Sequence, residues 1–337
     1  MDRVELWRSM LRIRRLEEAV VRLAEDASRP IRGHVHVSIG QEATAVGACA
    51  ALEPHDHLFT THRNHGHVLA RGGDPMRILA EILGREAGYS HGRAGGFHVA
   101  APDLGILHTS AIVGGAIPLA AGAAFAAQRL GTGRASLVFF GDGAMEEGVF
   151  SETLNIAQLW KLPVVLLMEN NSVSPTERGG RGSPTSEHSA AALSDVPRAY
   201  GVQTQVIDGT DVEMVLETTR RALDGVRRGE GPVFIEARTS RWPGNYGSSP
   251  TLSLSGATDI SWAWMPAAPA EPVRAWSERS DPVLAFARRL LDSTPSQTLM
   301  DIDAAVCAEI ARAVDEALSS PQPLPDSALQ YVLAPFG

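Results

Sequence analysis

Hydrophobic positions along this chain follow two rhythms. Near the amino end, Leu6, Met10, Ile13, Leu16, Val20 and Leu23 recur at helical spacing, which predicts an amphipathic helix over residues 4–26 with Arg12, Arg14, Glu17 and Glu18 facing water. Residues 136–140 and 164–168 are apolar runs too short for helices, and they read as parallel strands buried on both faces. Between them, Val149, Phe150, Leu154, Ile156, Ala157 and Trp160 return to helical spacing, until Pro163 stops the helix. Residues 135–171 therefore form one βαβ unit, whose right-handed crossover makes the two strands parallel. The pattern repeats downstream: a strand at 203–207, a turn at Asp208-Gly209-Thr210, a helix capped by Asp211 and running to residue 228, then a strand at 233–238.

Other stretches complete the picture. Residues 76–83 read as a helix followed by a glycine-rich loop, GREAGYSHGRAGGFH. The segment TSAIVGGAIPLAAGAAFAAQRLG carries so little side-chain bulk that its helix suits either close internal packing or a subunit interface. Trp242, Trp262, Trp264 and Trp276 suit a core or interface, or the wall of a substrate pocket. Helices follow from Asp281 and over 304–318, and a proline-rich tail ends the chain. With no internal repeat and no linker, the expectation is an α/β protein: one doubly wound, mainly parallel sheet in a single unit over 1–337, with a C-terminal helical extension from 281 to 337.

Composition narrows the function classes. The 337 residues are 44% hydrophobic and 20% charged, as in a soluble globular protein with ample core. A formal charge of −9 argues against a nucleic-acid surface and against attraction to anionic membranes. Cys49 and Cys307 stand far apart, which fits a reducing cytoplasm better than a disulfide framework. No apolar run reaches membrane-spanning length, and the charged first helix does not read as a signal peptide. A soluble cytoplasmic protein is expected.

The βαβ unit also carries candidate chemistry. Asp142 and Asn171 each stand just past the carboxyl end of a strand, on the sheet edge where ligands of open α/β sheets bind. Carboxylate and carboxamide oxygens are hard donors suited to Mg²⁺ or Ca²⁺. The backbone N–H groups of Gly143 and Ala144, at a turn opening towards a helix, can hold phosphate oxygens. Gly141 and Gly143 stand where such a turn needs positive φ or close backbone approach. Together these residues describe a metal-bridged diphosphate site. Five of the eleven histidines, His55, His57, His62, His65 and His67, crowd residues 55–67, but their spacing supplies no helix-borne zinc pair with a third ligand.

Gly-Asp-Gly followed, after a helix and a strand, by Asn-Asn closely resembles the thiamine diphosphate (ThDP) motif. The surrounding QLWKLPVV and ENN resemble the α subunits of 2-oxo acid dehydrogenase E1 components and acetoin dehydrogenases, and the likeness extends over nearly the whole chain. The resemblance implies ThDP with Mg²⁺ held by the side chains of Asp142 and Asn171 and the carbonyl of Val173. His36, just before Ile39-Gly40-Gln41-Glu42, would lie near the active centre, orienting substrate or moving protons. His62 and Arg63 match a Tyr-Arg pair that grips the diphosphate, with histidine here in place of tyrosine. The backbones of Ala111 and Val113 would contact the aminopyrimidine ring, and residues 172–197 would form a long active-site loop. Where the family holds a histidine over the cofactor this chain has Asn245, which cannot carry a proton at neutral pH, so that His36 or His65 would have to compensate.

The implied activity is decarboxylation of a 2-oxo acid, or cleavage of acetoin, with transfer of the acyl unit. The implied assembly is an α₂β₂ heterotetramer, whose β-type chain supplies the glutamate that activates the cofactor, together with a lipoyl-bearing E2 acyltransferase. Two alternatives stand beside it: a biosynthetic ThDP carboligase subunit without a lipoyl partner, and a non-catalytic assembly subunit.

Overall fold

The structure, a computed structural model, describes residues 1–28, 30–31, 35–171, 188–242, 257–265, 273–327 and 330. Its helices are α1 (Arg3–Glu25), α2 (Glu42–Ala51), α3 (His65–Ala70), α4 (Pro75–Ile82), α5 (Ala116–Leu130), α6 (Gly148–Trp160), α7 (Asp195–Ala199), α8 (Val212–Arg227), α9 (Val273–Arg279), α10 (Pro282–Leu290) and α11 (Ser296–Ser319). The strands are β1 (His57–Thr61), β2 (Ile106–Ser110), β3 (Ser136–Gly141), β4 (Val164–Asn170), β5 (Gln203–Asp208) and β6 (Val233–Arg238). They form one open sheet in the order β2-β1-β3-β4-β6-β5, and each pair is parallel.

The all-apolar strands are explained by helices on both faces. Leu137 and Phe139 of β3 enter the core shared with α1, α2, α8, α10 and α11, whereas Val138 and Phe140 enter a second core with α5 and α6. The link from β1 to β2 runs through α3 and α4 on the first face, while α5 and α6 after β2 and β3 lie on the second. The chain thus leaves β1 and β3, neighbours in the sheet, on opposite sides. A crevice opens at their carboxyl ends. Side-chain caps fix several helix starts: Asp211 accepts from the amides of Glu213 and Met214, and Asp281 from those of Val283 and Leu284.

Several expectations are corrected. The apolar stripe of α1 is buried, but Arg14, Glu17 and Glu18 are buried as well and do not face water. The reason is that α1 is enclosed by α2, α3, α10 and α11, so its polar side meets protein, and each charge is paired there. Arg14 donates to Glu42 at 2.7 Å and to Asp281 at 2.8 and 3.0 Å. Burial alone would disfavour its charge, but the two carboxylates outweigh that and raise its pKa. Arg12 is only partly buried and reaches Glu309 at 2.6 Å. On α6, Ile156 and Trp160 are exposed, although their spacing suggested burial. The helix expected over 304–318 begins earlier, at Ser296.

Candidate functional site

A cavity of about 360 Å³ occupies the crevice at the carboxyl ends of β1 to β4. Each strand delivers residues to it: Thr61, His62 and Arg63 follow β1, Ser110 to Gly114 follow β2, Gly141 to Ala144 follow β3, and Glu169 and Asn171 end β4. The β3–β4 register pairs Gly141 with Glu169, so Asp142 and Asn171 leave adjacent strands at nearly the same level. Both side chains are almost fully buried and line the cavity. Asn171 donates its amide to Gln41 Oε1 at 2.8 Å, which places its carbonyl oxygen on the other branch of the carboxamide.

After β3 the chain makes a tight 3-10 turn, Asp142–Glu146, before α6 begins. Gly143 and Ala144 are therefore at the start of a turn whose leading amides point away from its own carbonyls. The glycines do not serve through positive φ here: Gly141 has φ −85° and Gly143 is not among the residues with positive φ. A Cβ on Gly141 would meet nothing within 4 Å, which leaves room for a ligand beside Asp142.

The cavity also has a cationic lining. Arg63 and Arg241 are both nearly buried and both line the cavity. Arg63 is held by a bond from Nη1 to the Val37 carbonyl at 2.8 Å. His62 stands beside them. Burial first, then the positive charges of Arg63 and its other neighbours His36, Arg241 and His65, push its pKa down to about 3, so its ring is neutral at pH 7. His36 and His62 meet edge to face with ring centroids 4.5 Å apart, and Phe97 lies 5.1 Å from His36. All three rings line the cavity.

The histidine-rich stretch does not converge on one point. His57 opens β1 and His62 follows its far end. His65 is buried on α3 off the cavity wall, with Nδ1 3.1 Å from Glu17 Oε2 and Nε2 3.0 Å from the Gly96 carbonyl. Burial would lower its pKa, but the Glu17 carboxylate raises it; conversely, burial would raise Glu17, and His65 with Ser38 holds it below the usual carboxylate range. His67 stacks on Phe139 at 3.8 Å, between Thr60 Oγ1 at 2.6 Å and Glu169 at 3.5 Å. No group of three or more His, Cys, Asp or Glu side chains among the described residues could hold a metal.

The cavity thus brings together His36, His62, Arg63, Ala111, Val113, Asp142, Gly143, Ala144 and Asn171, with Ala111 and Val113 in the loop before α5. Val173 and Asn245 lie outside the described residues. Sequence reasoning did not single out Phe97, Glu169 or Arg241 as site residues. Glu169 carries one local signal, an acid at the end of an apolar strand. Phe97 lies in the glycine-rich loop and Arg241 just past β6, segments that resemble the family's pattern, although local periodicity does not show that these two side chains reach the cavity. Among the described residues no helix is long and apolar enough to cross a membrane.

Comparison with known proteins agrees with this geometry. Residues 8–326 match the family described as Dehydrogenase E1 component. The α subunit of acetoin:2,6-dichlorophenolindophenol oxidoreductase from Bacillus subtilis (strain 168) is 36% identical over 320 residues, covering 94% of this chain and 89% of the relative. The pyruvate dehydrogenase E1 component α subunit of Zymomonas mobilis is 35% identical over 332 residues, covering 98% of this chain and 88% of the relative. The human mitochondrial pyruvate dehydrogenase E1 component α subunit, somatic form, is 34% identical over 324 residues, 96% of this chain and 77% of that protein. This chain belongs to the dehydrogenase E1 component family as an α-type subunit, with the E1-like, ThDP-dependent enzymatic function that membership carries.

Proposed function

We propose that this chain binds the diphosphate of ThDP and a Mg²⁺ ion in the cavity between β1, β3 and β4, and acts as the α-type half of an enzyme that decarboxylates a 2-oxo acid or cleaves acetoin. One observation carries the reading: two hard oxygen donors, Asp142 and Asn171, leave adjacent strands into a cavity that Arg63 and Arg241 also line. A divalent cation needs the first pair, and phosphate oxygens suit the second. The residues fit the group, and Val173 remains the implied third metal ligand.

When bound, ThDP supplies the electron sink for breaking the bond beside a carbonyl carbon. The protein's part is positioning and electrostatics. Asp142 and the Asn171 oxygen would hold the metal, while Arg63 and Arg241 offset the diphosphate charge and the amides of Gly143 and Ala144 receive its oxygens. Ala111 and Val113 would present backbone to the aminopyrimidine. His36 would line the substrate side, where an imidazole can orient a carbonyl or carry a proton, and the neutral His62 beside Arg63 could donate a hydrogen bond to the diphosphate.

The partner in this reading is a β-type subunit in an α₂β₂ assembly, with a lipoyl-bearing E2 as acyl acceptor. The exposed apolar residues Leu119, Phe125 and Leu130 on α5 and Ile156, Leu159 and Trp160 on α6 support a protein-covered face. The free thiols Cys49 and Cys307 suit a cytoplasmic setting. The deciding experiment is calorimetric titration of ThDP, with and without Mg²⁺, into wild type and Asp142→Asn co-purified with the β-type chain. Mg²⁺-dependent binding should be lost in the variant while the fold is kept. Equal affinity in the two proteins would remove the proposal.

A further inference from the structure

Two segments line the cavity, and both are tied to one carboxylate that does not touch it. Glu17, on α1, is fully buried and is not among the cavity-lining residues. Its Oε1 accepts from the Ser38 amide at 2.9 Å and from the Ser38 hydroxyl at 2.7 Å. Its Oε2 faces His65 Nδ1 at 3.1 Å, and His65 Nε2 in turn meets the Gly96 carbonyl at 3.0 Å. Ser38 stands two residues after His36, and Gly96 immediately precedes Phe97. The two rings so positioned lie 5.1 Å apart.

The local sequence is shaped around this arrangement. A Cβ on Gly66, in the first turn of α3, would lie 2.7 Å from Ser38 Oγ and 3.2 Å from Ile13 Cγ2, so a side chain there would displace the Ser38 hydroxyl that bonds Glu17. Asn64 Nδ2 adds a second donor to the Gly96 carbonyl at 3.0 Å. A buried carboxylate is costly unless its oxygens are occupied, and here three donors from two segments occupy them. An arrangement with both segments in place is therefore favoured over one in which either moves away.

We infer that Glu17 is the positioning residue of this active site, one carboxylate that sets His36, through Ser38, and Phe97, through His65 and Gly96, at the substrate side of the cavity. The inference rests on the function proposed above and deepens it. Glu17 contacts neither cofactor nor substrate and holds the walls between which substrate must fit.

Conservative replacement separates geometry from mere burial of charge. In Glu17→Gln, Oε1 still accepts from Ser38, and the new Nε2 can donate to a neutral His65 that accepts at Nδ1 and donates through Nε2 to Gly96. The connections survive without the charge. In Glu17→Ala the Ser38 segment loses its anchor and His65 loses the partner that sets its ring, so that Asn64 alone holds the Gly96 carbonyl in place, and Ser38→Ala removes only the hydroxyl bond.

The test uses the chain assembled with its β-type partner, with pyruvate and acetoin as substrates, ThDP titration by calorimetry, and ¹⁵N-histidine NMR of the His36 ring. Glu17→Ala should lower kcat about 100-fold, the scale of a misplaced reacting group, with ThDP–Mg²⁺ affinity and KM little changed. Glu17→Gln should retain most of the activity. The His36 ring signals should shift and broaden in Glu17→Ala and Ser38→Ala and stay near wild type in Glu17→Gln. If Glu17→Ala does not fold, Ser38→Ala carries the same readings at smaller amplitude. Unmoved His36 signals in Ser38→Ala, or parallel losses of ThDP affinity and kcat, would overturn the inference. Failure of the wild type itself to bind ThDP would instead remove the proposed function, and the NMR comparison would still decide the positioning role.

Discussion

Asn171 and Gln41, 130 residues apart in the chain, meet carboxamide to carboxamide, with Asn171 Nδ2 donating to Gln41 Oε1 at 2.8 Å. An isolated asparagine could present either its oxygen or its nitrogen to a metal, and the nitrogen is useless for binding one. With Gln41 Oε1 accepting from its nitrogen, Asn171 has its oxygen left for a metal. The Gln41 backbone is anchored by the bond from its amide to the Ser38 carbonyl at 2.9 Å.

The first prediction follows from that bond. Gln41→Ala should weaken Mg²⁺ binding in the presence of ThDP by about 10–100-fold, the usual cost of losing a group that orients a metal ligand. Asn171 itself would remain in place. Metal titration of the assembled enzyme checks it, and an unchanged Mg²⁺ affinity would show that the amide orientation is set elsewhere.

A second prediction concerns acid. His62 has its pKa pushed down to about 3 by burial and by neighbouring positive charge. Unfolded, the ring titrates near 6.5, so between about pH 3 and 6.5 the unfolded chain binds a proton that the folded chain does not. Stability contributed through this ring therefore falls as pH drops below about 6.5, by at most about 1.4 kcal/mol per pH unit and by less for a ring partly open to solvent. His62→Gln should flatten that loss. Urea unfolding of the ligand-free chain at pH 7.5 and 5.5 measures it, and equal acid sensitivity in variant and wild type would contradict the assignment.

The exposed apolar face gives the third. Trp160 at the end of α6 lies beside Phe125 of α5, with ring centroids 5.3 Å apart, and the neighbouring Leu159 is exposed as well. An aromatic anchor in a protein interface is commonly worth about 2 kcal/mol or more. Trp160→Glu should therefore weaken assembly with the β-type chain while leaving the monomer folded. Sedimentation velocity of the co-expressed subunits reads the outcome, and a heterotetramer of undiminished stability would place the interface on another face.

The sequence by itself determined the elements whose signals are local. The βαβ unit around Asp142 and Asn171 was legible because apolar runs, a glycine-flanked turn and Pro163 lie within one short stretch, and a βαβ crossover has only one common hand. The carboxyl-end placement of both residues followed from that alone. The caps at Asp211 and Asp281 were equally readable, since a capping side chain bonds to its own next turn.

Only the tertiary structure decided which polar groups are buried and which apolar ones are not. Helical periodicity assigned Arg14 and Glu17 to solvent, but their partners Asp281 and His65 come from elsewhere in the chain and make burial tolerable. Trp160 shows the converse, an apolar residue at core spacing that stays half exposed among the described residues. Arg241, just past β6, and Phe97, in the glycine-rich loop, both line the cavity, and only the packing of the whole chain brings those two side chains together. Periodicity reports the geometry of one element, whereas the fate of a charge or an aromatic ring depends on what long-range packing sets against it.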